Sequence, residues 1–535
     1  MTSEFLSFTR RGFLGVIGAT PLAVALPAWT QSDAPVRGGT LTVNVGSEYP
    51  VIASVANTSG FAYYVSSKVL EGLLTYDFDL NPLPELATEW SVSEDGLRYW
   101  FKLREGVKWH DGEDFDSEDV VFSINSLKKN HPRGQRIFLP LREVKALGKY
   151  EVELLLDKPA PYLISAFAGS GSPIIPAHLY DGTDVLSNPH NVAPVGTGPF
   201  KFGEWVRGSH IVFDRNPNYW QPSKPYLDRI VFRFITDPAA QVAALEAGEI
   251  GLTVAGVPPT ELERLSQNPA LQIETRGYGY NNTISRLEFN LDNPHLGNLK
   301  VRQAIAHAID VNAIVERVYL GHAKPIYGPV NPGLKKFYYD GLPRYELNLK
   351  KAEELLDEAG FARGSDGWRL SLFVDPVQPS GPYRSTAEFV VQSLNKIGIK
   401  ATLRTQDFAS YVKRVYTTRD FDIAVQSLSN LFDPVGGIQG LYWSKGFQPG
   451  VAFLNSAHYN NPEVDRLLEA AAIETDFKKR YDIYVEFQKL IVRDLPGLNL
   501  VAPDAYTITS AKVRNHTIGV EGFANNAANL YIANN

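Results

Sequence analysis

The sequence predicts an α/β fold built as more than one lobe. Short β-branched runs and amphipathic helical stretches alternate along the whole chain, which is the pattern of an α/β protein. At 535 residues, with 44% hydrophobic side chains, the chain exceeds what one core usually organises. Beyond residue 34 no apolar run approaches the roughly 20 residues that span a bilayer.

In chain order, the first element is a targeting segment. Ser7-Phe8-Thr9-Arg10-Arg11-Gly12-Phe13-Leu14-Gly15 precedes a weakly apolar stretch that ends near Leu26. Paired arginines before such a stretch resemble a twin-arginine export signal. Pro21 and Pro27 interrupt it, and Ala23-Val24-Ala25 offers a small-x-small cleavage pattern, with cleavage expected between there and Ala34. Residues 1–34 are therefore expected to export a soluble, already folded protein to the periplasm.

Gly38-Gly39-Thr40-Leu41-Thr42-Val43-Asn44-Val45 then alternates as a strand does, and so do 98–103, 151–156, 210–214, 230–235 and 421–425. Val301, Ile305, Ala308 and Ile309 share a helix face with Gly321 as a stop beyond them. Leu349 to Ala359, closed by Gly360, is a second helix, and 461–472 and 477–493 are two more. Ser117, followed by Glu118 and Asp119, reads as a helix N-cap.

Composition excludes several functions. A formal charge of -7 and a pI near 5.9 do not suit a nucleic-acid partner. There is no cysteine, and Met1 is the single methionine. Disulfides, thiolate catalysis and a lipid-modified cysteine are excluded. Ordinary usage would give on the order of ten methionines. Two explanations stand: avoidance of oxidisable side chains, or synthesis under sulfur scarcity.

Catalytic signatures are also missing. There is no G-x-S-x-G elbow, phosphate loop or H-E-x-x-H pair. The 10 histidines are scattered without metal-ligand spacing. His110-Asp111-Gly112-Glu113-Asp114 lacks calcium-loop spacing. Gly196-Thr197-Gly198-Pro199 lacks the third glycine of a dinucleotide loop and reads as a tight turn entering a strand. The expectation is a protein that is not an enzyme and has no cofactor or metal site.

Ordered blocks carry a family resemblance. Val69-Leu70-Glu71-Gly72-Leu73-Leu74 is followed by Leu86-Ala87-Thr88-Glu89-Trp90 and then by Phe101-Lys102-Leu103-Arg104-Glu105-Gly106-Val107-Lys108-Trp109-His110-Asp111-Gly112. Gly196-Thr197-Gly198-Pro199-Phe200, Asn216-Pro217-Asn218-Tyr219-Trp220, Val301-Arg302-Gln303-Ala304-Ile305 and Asn461-Pro462-Glu463-Val464-Asp465 follow in order. Over nearly the whole chain past residue 34, this resembles the extracytoplasmic solute-binding proteins of family 5, the peptide/nickel-type receptors of ABC importers.

The resemblance implies a type II-like periplasmic binding protein with two hinged α/β lobes and an extra domain on the first. Lobe I would comprise 36–75, 196–290 and 489–535, the extra domain 76–195, and lobe II 291–488. A small solute would be enclosed between the lobes and delivered by a monomer to an ABC permease and its ATPase in the inner membrane. By the same resemblance the cleft would be lined by Asn44, Gly46, Ser47 and Glu48, by Tyr278, Tyr280, Asn281 and Asn282, and by Leu428, Ser429, Asn430 and Phe432.

Two positions depart from the family. Peptide receptors carry an aspartate that holds the ligand's α-amino group, where this chain has Asn430 or Leu431. Asp433 is read as structural, preceding Pro434. Gly251 stands where the family usually has aspartate. The ligand is thus peptide-like or another organic solute: an organosulfur compound, an opine, a sugar or a metal chelate. A signalling receptor and a periplasmic hydrolase are the alternatives from other classes.

Overall fold

The computed structural model describes residues 34–534, apart from Thr58, Pro132, Ala255, Gly256 and Tyr280. Arg10, Arg11 and the rest of the expected export signal lie outside the described residues, as does Tyr280.

Alternating burial builds three larger sheets. In Arg98–Leu103, for example, Tyr99, Phe101 and Leu103 point into the core while their neighbours face outward. The first sheet has seven strands in the order Leu271–Glu274, Thr507–Ser510, Leu252–Thr253, Thr40–Asn44, Arg229–Arg233, His210–Arg215 and Phe200–Val206. Thr40–Asn44 runs parallel to both neighbours, and the other pairs are antiparallel. The second has six, in the order Ala323–Pro325, Gly497–Pro503, Thr283–Phe289, Ile423–Ser429, Leu370–Pro376 and Ile399–Leu403. A four-stranded antiparallel sheet contains Ala87–Val92, Arg98–Leu103, Glu151–Leu156 and Leu141–Gly148.

One buried apolar cluster runs from Leu41 through Phe101 and Leu154 to Leu530, so the four-stranded sheet shares a core with the first sheet. The second sheet packs on its own core, which includes Leu287, Ile305, Val374 and Leu394. The chain leaves the first sheet after Glu274, enters the second at Thr283, and returns between Pro503 and Thr507. The lobe boundaries expected at 290/291 and 488/489 thus differ from the changes of sheet. Strands 283–289 and 497–503 hydrogen-bond within the second sheet, because their partners, 423–429 and each other, are there.

Local expectations differ in four places. The helix Leu299–Ala308 stops before Ile309, whose extended backbone lets Asp310 cap a new helix, Val311–Arg317. Asp116, not Ser117, caps Ser117–Asn130: its side chain accepts from the Glu118 N–H, and Asp119 completes a capping box. The Ser117 hydroxyl instead donates to the Gly148 carbonyl at 2.7 Å. The strand expected at 421–425 runs Ile423–Ser429, and that at 230–235 runs Arg229–Arg233.

Two glycines have packing reasons. A Cβ on Gly196 would stand 1.8 Å from the Val69 carbonyl oxygen, so the turn into Phe200–Val206 lies directly on the backbone of that segment. A Cβ on Gly251 would stand 2.8 Å from a Leu41 methyl, so this glycine packs against the strand Thr40–Asn44.

Candidate binding cleft

A cavity lies between residues of the first core and a segment that follows the second sheet. Tyr63 reaches it from the helix Gly60–Ser66, whose first turn is capped by the Ser59 hydroxyl. Arg133, Ile137, Tyr162 and the small-residue stretch around Ala168 and Ser172 continue that wall. Leu431, Phe432, Asp433 and Gly436 form the other. The mixture of aromatic and small side chains suits an organic ligand.

The wall at 431–436 is positioned by a buried ion pair. Both Arg480 terminal nitrogens donate to the two Asp433 carboxylate oxygens at 2.7 Å. Burial opposes the Arg480 cation, but the Asp433 carboxylate more than offsets it, so its pKa stands above the usual arginine value. Asp433 also caps Pro434–Gly437 by accepting from the Val435 N–H. Its carboxylate thereby accepts three hydrogen bonds from within the fold.

The segments expected to line the cleft fall into two groups. Asn44 is completely buried: its side-chain oxygen accepts from the Gly46 and Ile235 N–H groups and its amide donates to the Thr253 hydroxyl. Gly46 turns the chain with φ +75°, and Ser47 is exposed. Glu48 accepts from the Trp205 indole at 2.8 Å and the Gly208 N–H at 2.9 Å. These four residues lie at and just beyond the end of the first sheet's central strand and do not line the cavity.

The other two segments meet each other. The Asn430 N–H donates to the Asn282 carbonyl and the Leu431 N–H to the Asn281 carbonyl, both at 3.3 Å. Asn282 and Leu431 both adopt left-handed backbone, φ 44° and 51°, where non-glycine residues are strained and need surrounding support. Leu428 lies in the second-sheet side's core, and Ser429 pairs with Thr283. Asn430 is completely buried; its carbonyl oxygen accepts from the Asn331 N–H at 2.5 Å and its amide donates to the Pro329 carbonyl at 3.2 Å. Phe432 lines the cavity and lies 5.2 Å from the Tyr76 ring.

Tyr278 sits in the chain crossing. Its hydroxyl shares a 2.6 Å hydrogen bond with Thr507, just where the chain re-enters the first sheet, and its ring joins Tyr63, Tyr64 and Phe432. It thus ties the outgoing crossing to the returning one. Tyr278→Phe is expected to lower stability by about 0.5–1.5 kcal/mol, read as a shift in the thermal midpoint. Tyr63, Arg133, Tyr162 and 165–172 were not anticipated. The non-periodic small-residue run Ala168-Gly169-Ser170-Gly171-Ser172 was the available signal for them.

Ser170 also borders a second cavity, lined by Glu71, Glu85 and Glu521. Glu71 accepts from Thr197, Tyr219, Trp220 and Asn526. The Glu521 carboxyl accepts from the Ser170 and Thr75 hydroxyls, and burial pushes its pKa up to about 7 from 4.5. A raised folded-state pKa contributes stability below the unfolded value that is lost as pH rises through the folded one. For Glu521 that window runs from about pH 4.5 to 7. Glu521→Gln should therefore gain thermal midpoint relative to wild type as pH rises across that window, then plateau. A difference independent of pH across the window would show that the carboxyl titrates normally.

Comparisons with known proteins agree on one family. A family model described as bacterial extracellular solute-binding proteins, family 5 Middle, matches residues 81–449. The oligopeptide-binding protein AppA of Bacillus subtilis is 29% identical, over 88% of this chain and 87% of the relative. NikZ from Campylobacter jejuni, solved in complex with Ni(L-His), is 26% identical with a TM-score of 0.79, covering 90% of this chain and 97% of its own. The PBP AgaA from A. tumefaciens R10, solved with agropinic acid, is 27% identical with a TM-score of 0.78, covering 93% and 99%.

Proposed function

The chain belongs to the bacterial extracellular solute-binding proteins of family 5, and from that membership we propose that it captures a small organic solute in the cavity between Tyr63 and Phe432. Its fold is that of the periplasmic binding proteins, and it is the solute-binding component of an importer. The family and the relatives named above are binding proteins of transport systems rather than enzymes. Among the described residues no helix is long and apolar enough to cross a membrane.

The position of the cavity carries the reading. One wall belongs to the first core and the other follows the second sheet, and the described chain passes between the two sheets at 275–282 and 504–506. Bending at those two crossings would open and close the cavity as lobes rotate. The solute biases that balance by its differential affinity for the closed form. In this reading no bond is made or broken, and a monomer presents the closed form to an ABC permease and its ATPase. Arg10-Arg11 directs export by the twin-arginine route to the periplasm.

The solute is an organic molecule not held by an α-ammonium group at position 430. Asn430 is neutral, and both ends of its amide are used by Pro329 and Asn331. Mass spectrometry of material released from denatured, freshly purified protein tests the reading, followed by a thermal-shift screen of peptides, opines, sugars and organosulfur compounds. Failure of both to find any small molecule would remove the receptor function. The absence of cysteine and of internal methionine favours an organosulfur solute as a second reading. Protein levels that do not rise under sulfur limitation would exclude it.

A further inference from the structure

The lining of the cavity also bears on the chemistry of the solute, an inference that rests on the receptor reading above. Among the described residues that line it, two are charged, and both are engaged within the fold. Asp433 receives two Arg480 N–H donors, and the Arg133 guanidinium carbon lies 5.2 Å from the centre of the Tyr63 ring. A charged head group enclosed here would lose its water and meet groups already committed to partners, which makes its burial costly.

Rings line the cavity from three separate segments. Tyr63 comes from the helix Gly60–Ser66, Tyr162 from the short turn Pro161–Ser165, and Phe432 from the opposite wall. The Tyr162 hydroxyl donates to the Ile137 carbonyl at 3.1 Å, and the Phe432 ring lies 5.2 Å from that of Tyr76, so both rings are held in place. Rings fixed on both walls suit a flat apolar group, which gains stacking contacts in addition to burial.

The small-residue stretch at 168–172 supplies the space and a polar contact. Its turn is fixed from within: the Gly171 and Ser172 N–H groups both donate to the Ala168 carbonyl, at 3.0 and 2.7 Å, and the Ser170 hydroxyl donates to Glu521 at 2.8 Å. A Cβ on Gly171 would meet no atom within 4 Å, so the missing side chain leaves open room beside the turn. Ser172 is 3% exposed and lines the cavity, and among the described residues its hydroxyl has no hydrogen-bond partner. A buried hydroxyl in that condition gains from any polar group brought against it.

We propose that the solute carries an uncharged aromatic ring that lies over residues 168–172, between Tyr162 and Phe432, with a hydrogen-bonding substituent that pairs with the Ser172 hydroxyl. Gly171 then sets how large a group the cavity admits.

Four probes of similar size test this by thermal shift and calorimetry on the full chain: 4-methylphenol, 4-methylcyclohexanol, 4-methylbenzoate and 4-methylbenzylammonium. The phenol should raise the thermal midpoint most, since the cyclohexanol lacks the flat ring and the other two carry a charge. Gly171→Leu should abolish the shift by the phenol while ligand-free melting stays near wild type, because the new side chain enters open space. Gly171→Ala, with a smaller loss, guards against a misfolded leucine variant. Ser172→Ala should weaken the phenol about threefold to tenfold, the worth of one hydrogen bond, without lowering the ligand-free midpoint, since no internal bond is lost. Equal or stronger binding of the cyclohexanol or of either charged probe overturns the proposal, and so does phenol affinity unchanged in both Gly171 variants. If no probe binds, the solute released from the native protein decides. An uncharged aromatic compound upholds the proposal, any other overturns it and leaves the receptor reading standing, and none at all removes both.

Discussion

Glu288→Ala is expected to destabilise the protein by about 3–5 kcal/mol, the cost of stranding a buried charge. Arg286 and Glu288 face the same side of the strand Thr283–Phe289, two residues apart, and each is 1% exposed. The Arg286 Nη1 donates to Glu288 Oε2 at 2.6 Å, and the Gln426 amide donates to the same oxygen at 2.9 Å. The other Glu288 oxygen accepts from the Ala457 N–H at 3.2 Å. Tyr411 and Tyr416 hydroxyls then donate to Gln426, so four side chains and one backbone group depend on the carboxylate. Burial works against the Arg286 cation and the Glu288 charge outweighs it, which keeps the guanidinium charged. Glu288→Gln keeps the shape but not the charge, and should lose a large part of the same stability. Calorimetry should show the transition of the second-sheet core moving down. A midpoint within a degree of wild type in both variants would contradict this account.

Asp433→Ala should cost a similar amount, again about 3–5 kcal/mol from an unpaired buried cation, and should also disturb the cleft. Arg480 is 5% exposed and keeps its Nε bond to the Ala471 carbonyl, but its two terminal nitrogens lose their partners. The wall at 431–436 loses its helix cap in the same step. A double variant, Asp433→Leu with Arg480→Met, should recover much of the stability, since an apolar pair can replace a buried ion pair. Denaturant midpoints of the single and double variants decide the point. If the single and double variants are equally unstable, the loss comes from packing or capping rather than from the stranded charge.

Several levels of this protein were legible in its sequence. The strand at Arg98–Leu103 and the helices at 349–358, 462–473 and 477–494 follow from periodicity, because alternation in a strand and the 3.6-residue period of a helix are local properties. Family membership was legible for the same reason: runs such as Phe101 to Gly112 are contiguous in the chain. The misplaced cap at Ser117 is a local competition. Asp116 and Ser117 are both good caps, and the Gly148 carbonyl, on another strand, takes the serine hydroxyl.

The candidate site was legible only in part. Segments 278–282 and 428–432 do come together, and Phe432 lines the cavity, while Asn44 and Glu48 serve the first sheet instead. Tyr63, Arg133 and Tyr162 lie far apart in the chain and share no period, so nothing local marks them as neighbours.

By itself the sequence determined the α/β class, the family and most element positions, together with the absence of cysteine chemistry. Tertiary structure alone decided which polar groups remain available to a ligand. Asn430 is engaged by residues about a hundred positions away and Asp433 by Arg480, 47 positions on. The physical reason is that a buried polar group must be satisfied by whatever the fold brings beside it. Until those partners are placed, an asparagine and an aspartate at the cleft look open to a solute. Once they are placed, both are held by the fold.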